Sequence, residues 1–538
     1  MNANRSSALR KFRKLPLAFA LGIGCLAAGQ GSVESSERLE SDWIDRFVDR
    51  LPQDFFNPST YPSNSIPLQR LFPEWEPASV VLISVPVRIV SSNPELMAFV
   101  LDFMRAVAPH VSIGVLYNRD EEIHLGRFVS RIEKDPTLGE LIGRIDFAES
   151  SVHGFWIRDH GPQFAVSVEG DLVLLDSIYR LLESEALYDP LDGGDRLTPS
   201  RKRFLDDLTP QFVGQYLRSD HQAEVTIIRA PLHLHGGDFA TDGNGNVFIS
   251  EHTLLENGSD LVALEMTLRR YLGAESIHLL NPPNGNTAKH LDLLFKIASA
   301  NTFFVSQPPN STPMSSSHGR LLGRQLIRTS ENNLAYLQRN LPEAKVVKLP
   351  MPSLLVMSRA ERMERLKREI LNLVCRRANV DIGLILSGDR KSPQFDAAMK
   401  AVGLEMLLRT GVNTDLNDDS DLDLAARSYL GVGIDEYLET FVNPETIYRS
   451  YTNSLIVTNT DNETLILLPR FRPQEGESQE DYDTMEKQVE KAYLDVYPDA
   501  KLEWIDSDAI TILGGSLHCM SISVPNAGNP KAPRRPRL

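Results

Sequence analysis

The sequence predicts an α/β fold made of a repeated ββαβ unit, and three observations predict it. Short apolar runs rich in β-branched residues recur along the chain, as from Val80 to Val85 and from Ser454 to Thr458. Pairs of such runs flank turn-forming residues: Glu169-Gly170-Asp171, Asp242-Gly243-Asn244-Gly245, Ala300-Asn301 and Asp461-Asn462. A segment of helical period and one more short strand then follow. Repetition of one supersecondary unit marks a repeat architecture rather than a row of separate domains. About five units fit, a number that suits closure into a propeller-like ring with a site on its axis.

Residues 1–29 precede this architecture and read as a secretory signal peptide. Arg5, Arg10, Lys11, Arg13 and Lys14 stand before an apolar run from Leu15 to Leu26, which gives way to Ala27-Ala28-Gly29. The run is short for a membrane span, and no later stretch is apolar enough for one. Cys25 after Gly24 offers a lipid-attachment point, but Gly22 is a poor residue three places earlier, so export without lipidation is the leading expectation. Residues 30–70 read as a linker with an N-terminal helix around Trp43, Ile44, Phe47 and Val48.

The strand from Val80 to Val85 opens the repeats. Asn93 caps and Pro94 starts a helix running to about Val107; a strand from Val111 to Tyr117 and a helix from Glu121 to Glu133 follow. Phe164 to Val168 and Leu172 to Ile178 form the next hairpin. Phe239 to Thr241 and Val247 to Ser250 form another, followed by a helix from a Ser259 cap to Leu272 and a strand from Ile277 to Leu280. Leu293 to Ala298 pairs with Thr302 to Ser306, ahead of a helix from about Gly319 to Leu341 and a strand from Lys345 to Leu349. Residues 71–351 thus hold four units. Residues 443–525 hold the last: a hairpin from Ser454 to Leu468, a helix from Glu480 to Val496, and a strand from Lys501 to Ile505. Between them, residues 352–442 are helical and charged and read as an insertion. Its acidic loop, Asp415 to Asp421, imitates a calcium loop but has Ser420 at the sharp-turn position and Ala426 where a bidentate glutamate belongs, so a solvated loop is expected. Residues 526–538 form a basic, proline-rich tail expected to be disordered.

The chain has 538 residues, 42% hydrophobic and 24% charged, with a net charge of −16. Loss of the leader removes five positive charges and no negative ones, giving −21. That balance argues against nucleic acid and favours cationic substrates. Beyond Cys25, the only cysteines are Cys375 and Cys519. Cys375 lies in an apolar helical run and reads as core. A Cys375–Cys519 disulfide is the rival to a reactive Cys519 in an oxidising compartment.

Four places carry chemistry, each at the start or turn of a repeat: Trp156 to Pro162, His235 to Asp238, His290 to Asp292, and Gly514 to Cys519. His290 and Asp292 are two apart, on one face if the backbone is extended, and suit acid/base work. Arg158 and Asp159, alone, read as a local ion pair. His233 and His235 have metal-pair spacing, but no cluster completes a site, so no metal is expected. Cys519 after Gly514-Gly515 reads either as a buried strand cysteine or as a thiolate nucleophile, with the glycines letting a flat substrate approach the sulfur. Together these groups suit a guanidinium: two carboxylates, Asp159 and Asp292, match its N–H fork while Cys519 attacks its carbon.

The ordered set Pro73-Glu74-Trp75-Glu76-Pro77, Trp156-Ile157-Arg158-Asp159-His160-Gly161-Pro162, Gly236-Gly237, His290-Leu291-Asp292, Ser450-Tyr451-Thr452-Asn453 and Gly514-Gly515-Ser516-Leu517-His518-Cys519 resembles the guanidine-modifying enzymes. The resemblance is to the group uniting agmatine deiminases and Porphyromonas-type peptidyl-arginine deiminases, and runs from about residue 70 to 525 outside the insertion. It implies a five-bladed α/β propeller, the pentein fold, around a central active site. It also implies Cys519 as nucleophile, His290 as acid/base, Asp159 and Asp292 as guanidinium ligands, and Asn453 beside the thiol. Trp156, Gly236, Gly237 and Asp238 complete the expected substrate-binding set. The implied reaction hydrolyses a guanidinium to a ureido group with release of ammonia, through a covalent amidino-thioether, and needs no metal or organic cofactor. The implied substrate is a small cationic guanidine or an arginine-bearing peptide. Export and the departures from the family pattern (His235 where many relatives have glutamate, Lys289 and Leu293 around the His-x-Asp, and the insertion) tilt the expectation towards peptidyl-arginine over agmatine. An amidinotransferase and an inactive binding protein are the rival readings.

Overall fold

The computed structural model describes residues 68–179, 203–283, 290–309, 317–355, 447–474 and 477–526. Phe47 and, within the insertion, residues 359–378, 393–412 and 414–430 with Val380, Ile385, Gly433 and Ile434 are also described. The leader with Cys25, nearly all of the linker, and residues 527–538 lie outside the described residues. Phe47 is helical, and its ring stacks on Phe212 with centroids 4.2 Å apart.

The described strands form five separate sheets in a mixed α/β fold. The first contains β1 (Leu68–Leu71), β5 (Gln163–Ser167), β6 (Leu172–Ile178) and β7 (Val225–His233). Three more are three-stranded: β8 (Phe239–Thr241), β9 (Asn246–Ser250) and β10 (Ser276–Leu280); β11 (Phe295–Ser299), β12 (Thr302–Gln307) and β13 (Lys345–Pro350); and β14 (Leu455–Thr458), β15 (Thr464–Arg470) and β16 (Lys501–Asp506). The fifth joins β17 (Ser521–Pro525) to β2 (Ala78–Ser84), β3 (Ser112–Asn118) and β4 (Ile145–Ser150). Every sheet repeats one pattern, an antiparallel pair followed by a parallel strand reached through helix, as a ββαβ unit requires. In the fifth sheet the antiparallel partner comes from the far end of the chain: Ser521 pairs with Ile83 and Val524 with Val80.

Local chemistry explains the elements. Asn93 accepts hydrogen bonds from the backbone of Glu95 and Leu96 and caps helix Pro94–Val107, which buries Phe99, Val100, Phe103 and Met104. The hairpin turns hold Gly170, Gly243, Gly245 and Asn462 at positive φ, where glycine and asparagine carry little or no steric penalty. The helix expected from a Ser259 cap begins at Leu261 instead. Asp260 is the residue whose side chain reaches the backbone of Val262 and Ala263, while Ser259 itself sits at φ 63°.

Three elements depart from expectation. Strand β1 already lies largely inside the segment read as linker, because Leu68–Leu71 adds an edge to β5. A helix at Thr209–Asp220 and strand β7 complete the unit whose later part the sequence left unassigned; Pro231 and mostly half-buried side chains disguise β7. The insertion is helical, at Arg359–Arg377, Pro393–Thr410 and Asp419–Leu430, and packs its own core around Leu366, Ile370, Val402 and Leu422. A bridge from Leu355 to Ile447 pins its base, a few residues beyond the expected 352–442. Asp415 and Asp418 turn the acidic loop through bonds to nearby backbone N–H groups and lead it into the last of these helices. Cys375 is buried in the insertion core and is not disulfide-bonded to Cys519. Among the described residues no helix is long and apolar enough to cross a membrane.

Candidate active site

The residues singled out from the sequence lie in five turns, each immediately before the first strand of an antiparallel pair: Trp156–Pro162 before β5, His235–Asp238 before β8, His290–Leu293 before β11, Ser450–Ser454 before β14, and Ser516–Met520 before β17. The turns are joined in a closed cycle. Arg158 N donates to the Cys519 carbonyl (3.0 Å) and His518 N to that of Asn453 (3.3 Å). Thr452 Oγ1 donates to the Asp292 carbonyl (3.0 Å), and Leu291 N to Asp238 Oδ1 (3.1 Å). Gly236 closes the cycle by lying flat against the Arg158 carbonyl, so close that a Cβ would sit 1.9 Å from that oxygen. Gly237 leaves room for His290 and Asp159: a Cβ there would be 2.8 Å from His290 Nδ1 and 2.9 Å from Asp159 Oδ1.

Cys519, Asp292 and Asn453 meet at this centre. Asn453 Nδ2 lies 3.1 Å from Cys519 Sγ and 3.0 Å from Asp292 Oδ2, and Sγ is 3.4 Å from the same carboxylate oxygen. His518 Nδ1 also approaches Oδ2, at 2.7 Å. Asp292 Oδ1 is buried without a hydrogen-bond partner. A carboxylate held by one oxygen with the other left open is a socket for an N–H donor. His290 faces Asp159 through Nδ1 (3.2 Å) and His235 through Nε2 (3.2 Å). His290 and Asp292 therefore do not act as a same-face strand pair: the backbone is a tight helical turn at Leu291–Leu293, and the two side chains serve different partners. Nor do Arg158 and Asp159 pair: Arg158 goes to Glu74 at 3.4 Å. Asp238 uses one oxygen on Leu291 N and directs the other to His252 (3.3 Å).

Residues 70–525 match the family of Porphyromonas-type peptidyl-arginine deiminases. The chain belongs to that family. Solved agmatine deiminases share its α/β fold. That of Enterococcus faecalis is 18% identical, with 86% of this chain and 99% of that one covered at a TM-score of 0.52. That of C. jejuni is 14% identical, with 85% and 95% covered at 0.50. A Listeria monocytogenes protein with a provisional agmatine deiminase name is 25% identical over 197 residues, 34% of this chain and 48% of that one. The chain spans about half the length of that curated relative. The family is named for deiminases of peptidyl-arginine, whose reacting moiety is a guanidino group.

Burial and the carboxylates of Asp292 and Asp159 push the Cys519 thiol well above its usual range. Burial alone would lower His290, but Asp159, Asp238 and Asp292 outweigh it and raise the imidazole to about 10. Asp159, which burial would raise, is held low chiefly by His290. A second charged group lies beside Asp292 and has no counterpart in the sequence reading. His518 bridges Asp292 to Glu74, whose Oε2 is 2.6 Å from His518 Nε2; Lys296 Nζ donates to Glu74 Oε1 (2.8 Å) and the Ser454 carbonyl (2.9 Å). Burial would raise Glu74, but Lys296, His518 and Arg158 bring it well below the usual carboxylate range. These groups and Asp292 line a cavity of about 60 Å³, room for a few waters. Glu74 and His518 were visible only as members of the quoted motifs. Gly515 also has a different task from the one expected: it makes room for the Trp156 ring, 2.5 Å from where a Cβ would be, while Gly514 takes φ 104°.

Proposed function

We propose that the deiminase hydrolyses the guanidinium of agmatine, a small aminoalkylguanidine, to a ureido group and ammonia. The observation that carries this reading is the buried Cys519–Asn453–Asp292 cluster with its one open carboxylate oxygen. In it, Asp292 and Asp159 receive the N–H fork of the cation, and Trp156, Gly236 and Gly237 shape its slot. The incoming positive charge offsets the two carboxylates that hold the thiol protonated, so binding releases the thiol proton to solvent and leaves a thiolate beside the guanidinium carbon. Attack forms the C–S bond. His290 gives its proton to the departing nitrogen, which leaves as ammonia, and the neutral imidazole then takes a proton from water that attacks the amidino-thioether. The thiolate leaves as the ureido product forms. Asn453 Nδ2 holds the sulfur throughout.

We also propose that the five sheets form the blades of a propeller; the closed cycle of turns, with one turn from each sheet, supports that arrangement. The substrate preference reverses the expectation from sequence. Four curated relatives carry provisional agmatine deiminase names, and Cys519, Asp159 and Asp292 are each under a tenth exposed, which suits a slender free guanidine. The test is ammonia release from agmatine, free arginine, and peptides with internal or C-terminal arginine. Agmatine should be turned over fastest. Faster turnover of a peptide would restore the peptidyl-arginine reading, and amidino transfer requiring an acceptor amine would replace hydrolysis.

A further inference from the structure

We infer that His235 is the residue that orients the acid/base histidine: it accepts the Nε2 proton of His290 and so makes Nδ1 the atom that gives and takes protons at the substrate. This inference rests on the deiminase reading above. His235 Nδ1 lies 3.2 Å from His290 Nε2, and the two rings meet edge to face with centroids 5.4 Å apart at 78°. The other nitrogen of His290 faces Asp159. Of two ring nitrogens in such contact, one carries the proton and the other accepts it.

The surroundings decide which is which. Facing His290 are the carboxylates of Asp159, Asp238 and Asp292, which hold it cationic. Facing His235 are His290 and Asp159 on neighbouring turns, Glu256 and His252 from helix Glu251–Glu256, Asp238 from its own turn, and the Tyr179 ring at 4.7 Å. Burial and the charge on His290 hold His235 below the usual histidine value, against Asp159, Glu256 and Asp238. His290 is therefore the donor. The one proton of neutral His235 sits on Nε2, 4.0 Å from Glu256 Oε1. Glu256 is in turn 3.6 Å from His252 Nε2, and His252 Nδ1 is held by Asp238, whose other oxygen accepts from Leu291 N beside His290. The loop of contacts closes on the turn it serves.

With Nε2–H committed to His235, neutral His290 has its lone pair at Nδ1, and protonated His290 carries its transferable proton there. A His235 that gains a second proton has nothing left to accept with. The contact becomes N–H against N–H between two cations, and His290 loses its orientation. The arrangement thus fails on the acid side, where His290 is already cationic.

The test is the pH dependence of kcat on agmatine for the full chain, His235→Gln and His235→Ala. Gln can accept from Nε2–H but does not titrate. His235→Gln should keep kcat within about fivefold at pH 8 and lose the acid limb below the ordinary histidine range. His235→Ala should lose about 10-fold or more at every pH, since an unoriented base is ineffective. An acid limb unchanged in His235→Gln, or wild-type kcat in His235→Ala, overturns the inference. Ring-nitrogen NMR of the full chain labelled with ¹⁵N-histidine gives a readout that needs no turnover. A cationic ring at pH 8 should vanish in His290→Asn, and a neutral Nε2–H ring should vanish in His235→Gln. Two neutral rings overturn the pairing. Failure of the unaltered protein on every guanidine removes the deiminase reading alone, and the NMR result then decides the pairing.

Discussion

Replacing Gly237 with alanine adds one methyl group at the contact between His290, the proposed acid/base, and the Asp159 carboxylate. Against an ordinary 3.4 Å contact, the new Cβ falls short by about 0.6 Å at His290 Nδ1 and about 0.5 Å at Asp159 Oδ1. Both obstacles are ends of side chains, so the fold yields by moving them, at about 1 kcal/mol, the low end of overpacking costs. The chemistry does not yield as easily. Misplacement by 1 Å costs about 10²-fold in rate, so half that at two groups should lower kcat/KM about 10- to 100-fold. The assay is ammonia and ureido product from agmatine, with thermal unfolding alongside, where a shift of only a few degrees is expected. Gly236→Ala is the contrast. Its Cβ meets the backbone oxygen of Arg158 at 1.9 Å, which cannot move without breaking the cycle of turns, so that variant should fail to fold stably rather than fold and be slow. A folded Gly237→Ala protein with kcat/KM within twofold of wild type would refute the need for the His290–Asp159 contact.

Three further outcomes follow from the site. Cys519→Ala should lose essentially all turnover while Cys375→Ala stays within twofold; a thiol-reactive reagent should find both of these thiols in denatured protein without reductant, and a result that needs reductant would contradict their unpaired state. Glu74→Gln should destabilise the fold by about 3 kcal/mol or more, because Lys296, Arg158 and His518 lose the charge they share. Since the folded protein depresses Glu74, its stabilisation is present above the unfolded value near 4.5 and disappears as pH falls through the folded one, so acid denaturation should be shallower in the variant. His290 has the opposite sign. Its stabilisation is complete below about 6.5 and is lost as pH rises through about 10, so the melting temperature of the wild type, but not of His290→Asn, should fall over that window.

What the sequence disclosed was mostly local. Gly170, Gly243, Gly245 and Asn462 take backbone conformations their neighbours avoid, so three of the hairpins could be read from three short stretches. Asn93 and Pro94 announced their helix for the same reason. Cys519, His290, Asp159 and Asp292 stood out because each falls at the same place in its unit, the turn ahead of a strand pair. Their partners did not. His518 meets Glu74 across 444 positions, and its neighbour Asp292 across 226; no periodicity links such residues. His235 looked like half of a metal pair with His233, whereas its contact is to His290, 55 positions on. The helix cap at Ser259 failed by one residue because two adjacent side chains, Ser259 and Asp260, both have capping chemistry, and only the backbone angle chooses between them.

The pairing of β17 with β2 also sets a schedule. Cys519 is fixed two residues before β17, and β17 has no place to lie except beside a strand made more than four hundred residues earlier. At about 5–20 residues per second of synthesis, that strand waits roughly 20–90 s with an open edge before its partner emerges. In the second half of that interval Asp159, His290 and Asp292 have all been made but the sulfur has not. Under the proposed mechanism the site therefore stays incomplete until late in synthesis, and the segment that enters the sheets through β17 is the one that brings the sulfur.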